Sequence, residues 1–255
     1  MPSLNATIKR IIREKDAGIR TATGSMLSLL EELQQQVRAE LGKAAISSWD
    51  TYHLRQYLDA IQAQIDDYRV AAQRQIGGNL DASWVQGKSL VDETVGQLNV
   101  GGMLLSTSVL DTLKDYAFHR IGGLSAAAWD RVKGELTLGV LGGKTPADVA
   151  KAIGENLDDS SIFKSIAARA EVITKTEMGR VFSEATQLRM DQAAESVDGL
   201  EKQWLHAGHP KVARPAHVAA NGQHVPVDQP FRIGGIDMLY PRDPGAPIEE
   251  TINCG

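Results

Sequence analysis

"SIFKSIAARAEVITKTEMGRVFSEATQLRMDQAA", residues 161–194, decides how the chain is built. Ile162, Ile166, Ala170, Ile173, Val181, Ala185 and Leu188 recur at helical spacing, so the stretch reads as one long helix from about Ser161 to Ala194. Glu177 falls on the same stripe, eleven residues after Ile166 and four before Val181. Arg180 and Glu184 come one and two turns further on. A carboxylate on a buried face is costly unless it is paired. Glu177 therefore reads as half of an ion pair, with Arg180 or with Arg214, that ties the helix to the C-terminal part of the chain. The competing reading is a catalytic carboxylate.

After residue 199 the Ala- and Gln-rich pattern stops. Pro, Gly, His and short alternating runs take over, with strands expected at 203–206, 224–227 and 237–240. Upstream the chain is helical. Met26, Leu29, Leu30, Leu33, Val37 and Leu41 mark a helix over 26–41, with Gly18 and Gly24 weakening any continuous run from residue 4. A second helix, capped by Ser47 or Ser48, carries Leu54, Tyr57, Leu58, Ile61, Ile65, Tyr68 and Ala72 and is expected to end at Gly77-Gly78. Further helices are expected at 81–98, 103–121 and 124–137. Thr145-Pro146 with Asp148 marks the start of another. The fold class is a mainly α N-terminal helical region followed by a small α+β domain, a long helix packed on a short antiparallel sheet. The division expected is 1–158 and 159–255.

Composition narrows the function. The chain has 255 residues and a formal net charge of −5, which disfavours a broad nucleic-acid-binding surface. Its one cysteine, Cys254, cannot form an internal disulfide. The N-terminus carries no readable signal peptide. No stretch approaches the roughly 20 apolar residues of a membrane span. These features suggest a soluble protein of a reducing cytosol with no membrane partner. "GVLGGKT", residues 139–145, imitates a phosphate-binding loop, but Leu138 stands where that motif requires glycine. The exposed face of the helix after it mixes Lys144 and Lys151 with Asp148 and Glu155, which disfavours a DNA-reading helix.

"WLHAGHPKVARPAHVAANGQHVPVD", residues 204–228, holds four of the six histidines. His206, His209, His217, His224 and Cys254 are all zinc-ligand types. If Asn221-Gly222 closes a two-residue hairpin, His217 and His224 share a face as diagonal neighbours roughly 7–8 Å apart. If 214–220 is instead a helical turn, Arg214 and His217 share a face and His224 moves away. The residues support a structural clasp, a metal site or a hydrolytic site. Lys202, Lys211 and Arg214 form a further candidate set for DNA contact.

One ordered series runs through this region: Thr176-Glu177 and Arg180, Trp204, Arg214-Pro215-Ala216-His217, Asn221-Gly222-Gln223, Val225 to Phe231, Tyr240-Pro241-Arg242-Asp243-Pro244 and Ile252-Asn253-Cys254. It resembles the phage Mu F-like family of head morphogenesis (minor head) proteins over about residues 160–255. The resemblance implies a non-enzymatic virion protein of a tailed bacteriophage, located in the head interior near the portal vertex after assembly in the host cytoplasm. Its implied partners are the portal protein, the major capsid or scaffold protein and packaged DNA, and its implied roles are head morphogenesis and DNA packaging or ejection. It makes Glu177, Arg180, Trp204, Arg214, His217, Asn221 and Gly222 a structural clasp. No cofactor is implied; zinc through His217 and Cys254 is the exception the residues admit, and a metal-dependent hydrolase or nuclease is the alternative function. The series departs from the family pattern at Gly255, where members commonly continue from Asn-Cys into Arg-Cys.

Overall fold

A computed structural model of the chain describes residues 3–43, 51–95, 105–154, 162–206 and 214–252. In chain order it contains α1 (Leu4–Leu41), α2 (Thr51–Val95), α3 (Ser108–Gly142), α4 (Pro146–Ile153), α5 (Ile162–Ala194), β1 (Glu201–Gln203), α6 (Pro215–Ala219), β2 (His224–Pro226), β3 (Phe231–Ile233), β4 (Ile236–Met238) and α7 (Ile248–Thr251). The fold class is the one expected: long helices, then a small α+β region beside the last of them. No described helix is long and apolar enough to cross a membrane.

The helix end expected at Gly77-Gly78 is not there, and the weakening expected at Gly18 and Gly24 does not interrupt the first helix. α1 passes through Gly18 and Gly24, and α2 passes through Gly77-Gly78 into the segment expected as a separate helix. A helix-interior glycine costs only about 0.5–1 kcal/mol relative to alanine. A single buried Leu or Ile returns roughly 1.5–3 kcal/mol, so the apolar stripe carries the helix through. Likewise 108–142 is one helix rather than two. The expected Ser47 or Ser48 cap and the break at Val100-Gly101-Gly102 lie outside the described residues.

The described chain forms two compact units. One comprises Thr21–Gly77 and Asp115–Thr174. Its core includes three stripes at three- and four-residue spacing: Met26, Leu30, Leu33, Val37 and Leu41; Ile61, Ile65, Tyr68, Ala72 and Ile76; Ala117, Ile121, Leu124, Ala128, Val132 and Leu136; α4 and α5 add Val149, Ile153, Phe163, Ile166, Ala170 and Ile173. The Tyr68 hydroxyl reaches Met26 Sδ at 3.9 Å, and burial pushes its phenol well above the ordinary value. At Gly77 an added Cβ would sit 3.2 Å from the tip of the Phe118 ring, a tight contact. α4 starts with a reciprocal capping box: Asp148 N donates to Thr145 Oγ1 at 3.2 Å and Thr145 N donates to the Asp148 carboxylate at 2.9 Å.

The other unit comprises Met1–Arg20, Gly78–Lys114 and Lys175–Gly255. Every residue from 176 to 183 is buried, so α5 is enclosed on all sides there rather than along one stripe. α2 meets it at Gly87, where an added Cβ would overlap the Phe182 carbonyl oxygen and lie 2.9 Å from Ala185 Cβ. Thr186 Oγ1 donates to Gly87 O at 3.1 Å, and Arg189 Nε donates to Asp92 Oδ1 at 2.6 Å. Lys15 Nζ lies 5.5 Å from the Phe182 ring centre.

Helix glycines thus fall into two kinds, and substitution separates them. Gly87→Ala forces backbone apart and is expected to cost about 1–3 kcal/mol. Gly122→Ala, where a Cβ meets nothing within 4 Å, is expected to gain roughly 0.5–1 kcal/mol. Urea denaturation of both variants checks the opposite signs.

Candidate functional site

The C-terminal region folds as two antiparallel pairs, β1 with β2 and β3 with β4. In β1 the side chain of Lys202 points inward between exposed Glu201 and Gln203, and in β3 Phe231 and Ile233 point inward around exposed Arg232. Ile233-Gly234-Gly235-Ile236 turns β3 into β4. Both glycines have positive φ, 57° and 92°, as a type I′ two-residue hairpin turn requires. Trp204, Ala220, Phe231, Ile233 and Met238 form the small apolar core.

A buried polar seam fixes both strand pairs to α5. Lys202 Nζ donates to Gln187 Oε1 at 3.0 Å and to the Leu239 carbonyl at 2.9 Å. Gln187 Nε2 donates to the Val227 carbonyl at 3.0 Å. The Lys202 ammonium also lies 5.3 Å from the Phe231 ring centre. Burial holds its pKa below 10.5, and Asp191, Asp228 and Asp243 pull it back up.

Farther along α5 the Tyr240 hydroxyl donates to Glu184. Burial first, and then the Glu184 carboxylate, push that phenol upward. Arg242, at φ 66°, lays its guanidinium against the helix at Gly179, where any Cβ would collide with it. Asp243 accepts from Leu239 N and Gly245 N, each at 2.8 Å, and so holds the turn that presents Arg242.

Glu177 is 1% exposed and accepts from Arg180 Nη1 at 2.7 Å, within the helix. Arg214 instead turns to the C-terminal segment, donating to the carbonyls of Glu249 and Ile252. His217 Nε2 meets Glu250 Oε2 at 2.8 Å, and Arg214 Nε stands 3.7 Å from the same oxygen. The Trp204 and His217 rings meet edge to face, with centroids 5.7 Å apart and planes at 82°. Glu250 is thus oriented by an imidazole and a guanidinium while its side chain stays 26% exposed.

Residues 215–219 are a helical turn, not a hairpin arm. Arg214 and His217 therefore act together, and His224 pairs across β1–β2 with Gln203 at 2.8 Å. Asn221 and Gly222 carry the chain from α6 into β2. Asn221 Oδ1 accepts from His206 N at 2.9 Å, and Gly222, at φ 86°, donates its N–H to Trp204 O at 2.8 Å. Lys202 is 4% exposed, so it presents no face to a phosphate. His209, Lys211 and Cys254 lie outside the described residues. Among the described residues no three His, Cys, Asp or Glu side chains converge as a metal site.

The sequence reading missed Gln187, Gly179 and Glu250. Pro247 followed by Ile-Glu-Glu was a usable helix-start signal for α7, and Gly234-Gly235 between apolar residues was one for the β3–β4 hairpin. Nothing in the sequence marked Gly179.

No family model matches the chain, and no solved structure matches it. Among curated proteins, the NAD(+)--arginine ADP-ribosyltransferase EFV of Enterococcus faecalis is similar, at 33% identity over 123 residues, which is 48% of this chain and 24% of that protein. The chain therefore spans about a quarter of the relative's length. This finding overturns the resemblance to phage head morphogenesis proteins: the relative is named as a transferase, not as a virion or minor head protein. The expectations of a non-enzymatic protein and of a hydrolase or nuclease fall with it. The portal partnership rested on that resemblance alone. The physical reason is visible in the motif series. Arg180, Trp204, Arg214, Asn221 and Gly222 make bonds that hold a small α+β fold together, and such bonds specify packing rather than a role.

Removing one member of a buried ion pair strands the other. Glu177→Ala is expected to cost about 3–5 kcal/mol, read as a lower denaturation midpoint in urea. A midpoint unchanged within error contradicts the pairing.

Proposed function

We propose that this chain works in NAD+-dependent ADP-ribosyl transfer to arginine, with NAD+ as a substrate rather than a resident cofactor. The observation that carries the reading is the 33% identity over 123 residues with a protein named for that activity. In such a transfer the bond between nicotinamide and ribose breaks and nicotinamide leaves with the electron pair. An arginine guanidinium nitrogen then bonds to the same ribose carbon and gives up a proton. Positive charge builds on the sugar, as it does in glycoside cleavage, where a carboxylate stabilises the cationic centre.

Glu250 has the chemistry for that part. It is ionisable, fixed by His217 and Arg214, and reachable from solvent. Glu177 is sealed at 1% exposure and committed to Arg180, which assigns it to the fold. Arg214 and His217 act here as positioning residues. They hold the carboxylate in one orientation before substrate arrives, which is how preorganised charge lowers a barrier.

The test is acceptor-dependent nicotinamide release from labelled NAD+, with agmatine as the arginine analogue. The full chain is expected to transfer label, and Glu250→Gln to lower the rate on the order of 10²-fold with an unchanged melting temperature. Absence of both nicotinamide release and label transfer by the unaltered chain would sink the reading.

A further inference from the structure

A groove of about 420 Å³ opens between α3 and α5 in the unit formed by Thr21–Gly77 and Asp115–Thr174. Three basic side chains line it: His119 and Arg120 from α3 and Arg169 from α5. The rest of its lining is apolar: Gly123, Ala168, Val172 and Ile173. The residues fall at i, i+1 and i+4 on α3 and at i, i+1, i+4 and i+5 on α5, so each helix presents one face to the groove. His119 and Arg169 are exposed, and Arg120 is half-buried with its guanidinium 5.9 Å from the Tyr116 ring centre.

Two features set this groove apart from an ordinary seam between helices. A chain of net charge −5 gathers three basic groups around one concavity. In addition, Gly122 and Gly123 sit inside a helix where a Cβ at either would meet nothing within 4 Å. Each glycine costs the helix about 0.5–1 kcal/mol, and neither is explained by close packing as Gly87 is. Gly123 and Ala168 keep the groove open; larger residues there would fill the space. The volume lies within the roughly 300–1,000 Å³ usual for small-molecule sites.

We propose that this groove binds a phosphorylated nucleoside, its phosphates against Arg120, Arg169 and His119 and its flat base over Gly123, Ala168 and Val172. The guanidinium groups supply charge-assisted hydrogen bonds to phosphate oxygens, and the apolar lining supplies a surface for the ring. The groove's lining and Glu250 belong to different compact units of the chain, and binding in the groove requires no turnover of NAD+.

The experiment is calorimetric titration of the full chain with ADP, with inorganic phosphate as the second probe. Expected is saturable ADP binding that weakens with added salt and exceeds phosphate binding. Arg169→Glu and Gly123→Leu are each expected to weaken it at least about tenfold, a loss of about 1.4 kcal/mol. Gly123→Leu points into open space, so its melting temperature should be unchanged or higher, which separates a blocked groove from a damaged fold. Arg232→Ala, in the other unit, and Glu250→Gln should leave ADP affinity unchanged. No ADP binding at millimolar concentration, ADP no tighter than phosphate, or binding indifferent to Arg169→Glu and Gly123→Leu overturns the proposal. Loss of transfer in Glu250→Gln with intact ADP binding bears on the transfer reading alone.

Discussion

The C-terminal region depends on one buried hydrogen-bonded pair, Lys202 with Gln187. Each strand pair is only three residues per strand, and an isolated two-stranded hairpin is marginal in water. Lys202 comes from β1, and its ammonium also holds the carbonyl just beyond β4. Gln187 comes from α5, and its amide also holds the carbonyl just beyond β2. Two side chains therefore gather both strand pairs onto one helix. Burying an ammonium carries a heavy desolvation cost unless its donors are satisfied. Two carbonyl-type acceptors and the Phe231 face offset that cost and give it a single geometry.

The placement of the rest of the region derives from this constraint. With β4 fixed to α5, the next residues deliver Tyr240 to Glu184 and Arg242 to Gly179. With β1 and β2 fixed, Trp204 is placed against His217 of α6, and the two rings meet edge to face. His217 and Arg214 then aim Glu250. The candidate carboxylate is thus the last link of a chain of contacts that starts inside α5.

The long helix, the change of texture after residue 199 and the capping box at Thr145 were legible because each is a local pattern. The partner of Glu177 was narrowed to two arginines by spacing and charge alone. Lys202 was misread as a surface cation, since an isolated lysine in an alternating run gives no sign of an acceptor fifteen residues upstream. Arg214 and Glu250 are joined only in the folded chain, and Gly179 is needed only because Arg242 lies on it. The head-protein resemblance failed for a related reason. Its residues were read as a signature of role, whereas the structure uses them for turns, caps and ion pairs that many small α+β folds require.

The most direct test of this account is a double-mutant cycle on Gln187→Leu and Lys202→Met, read by urea denaturation of the two single variants and the double. Hydrogen bonds to a charged group are worth about 1.5–3 kcal/mol, so a coupling energy in that range is predicted, with each single variant losing more than the pair's separate packing explains. Strictly additive losses, a coupling within about 0.3–0.5 kcal/mol of zero, would contradict the claim that this pair holds the C-terminal region together.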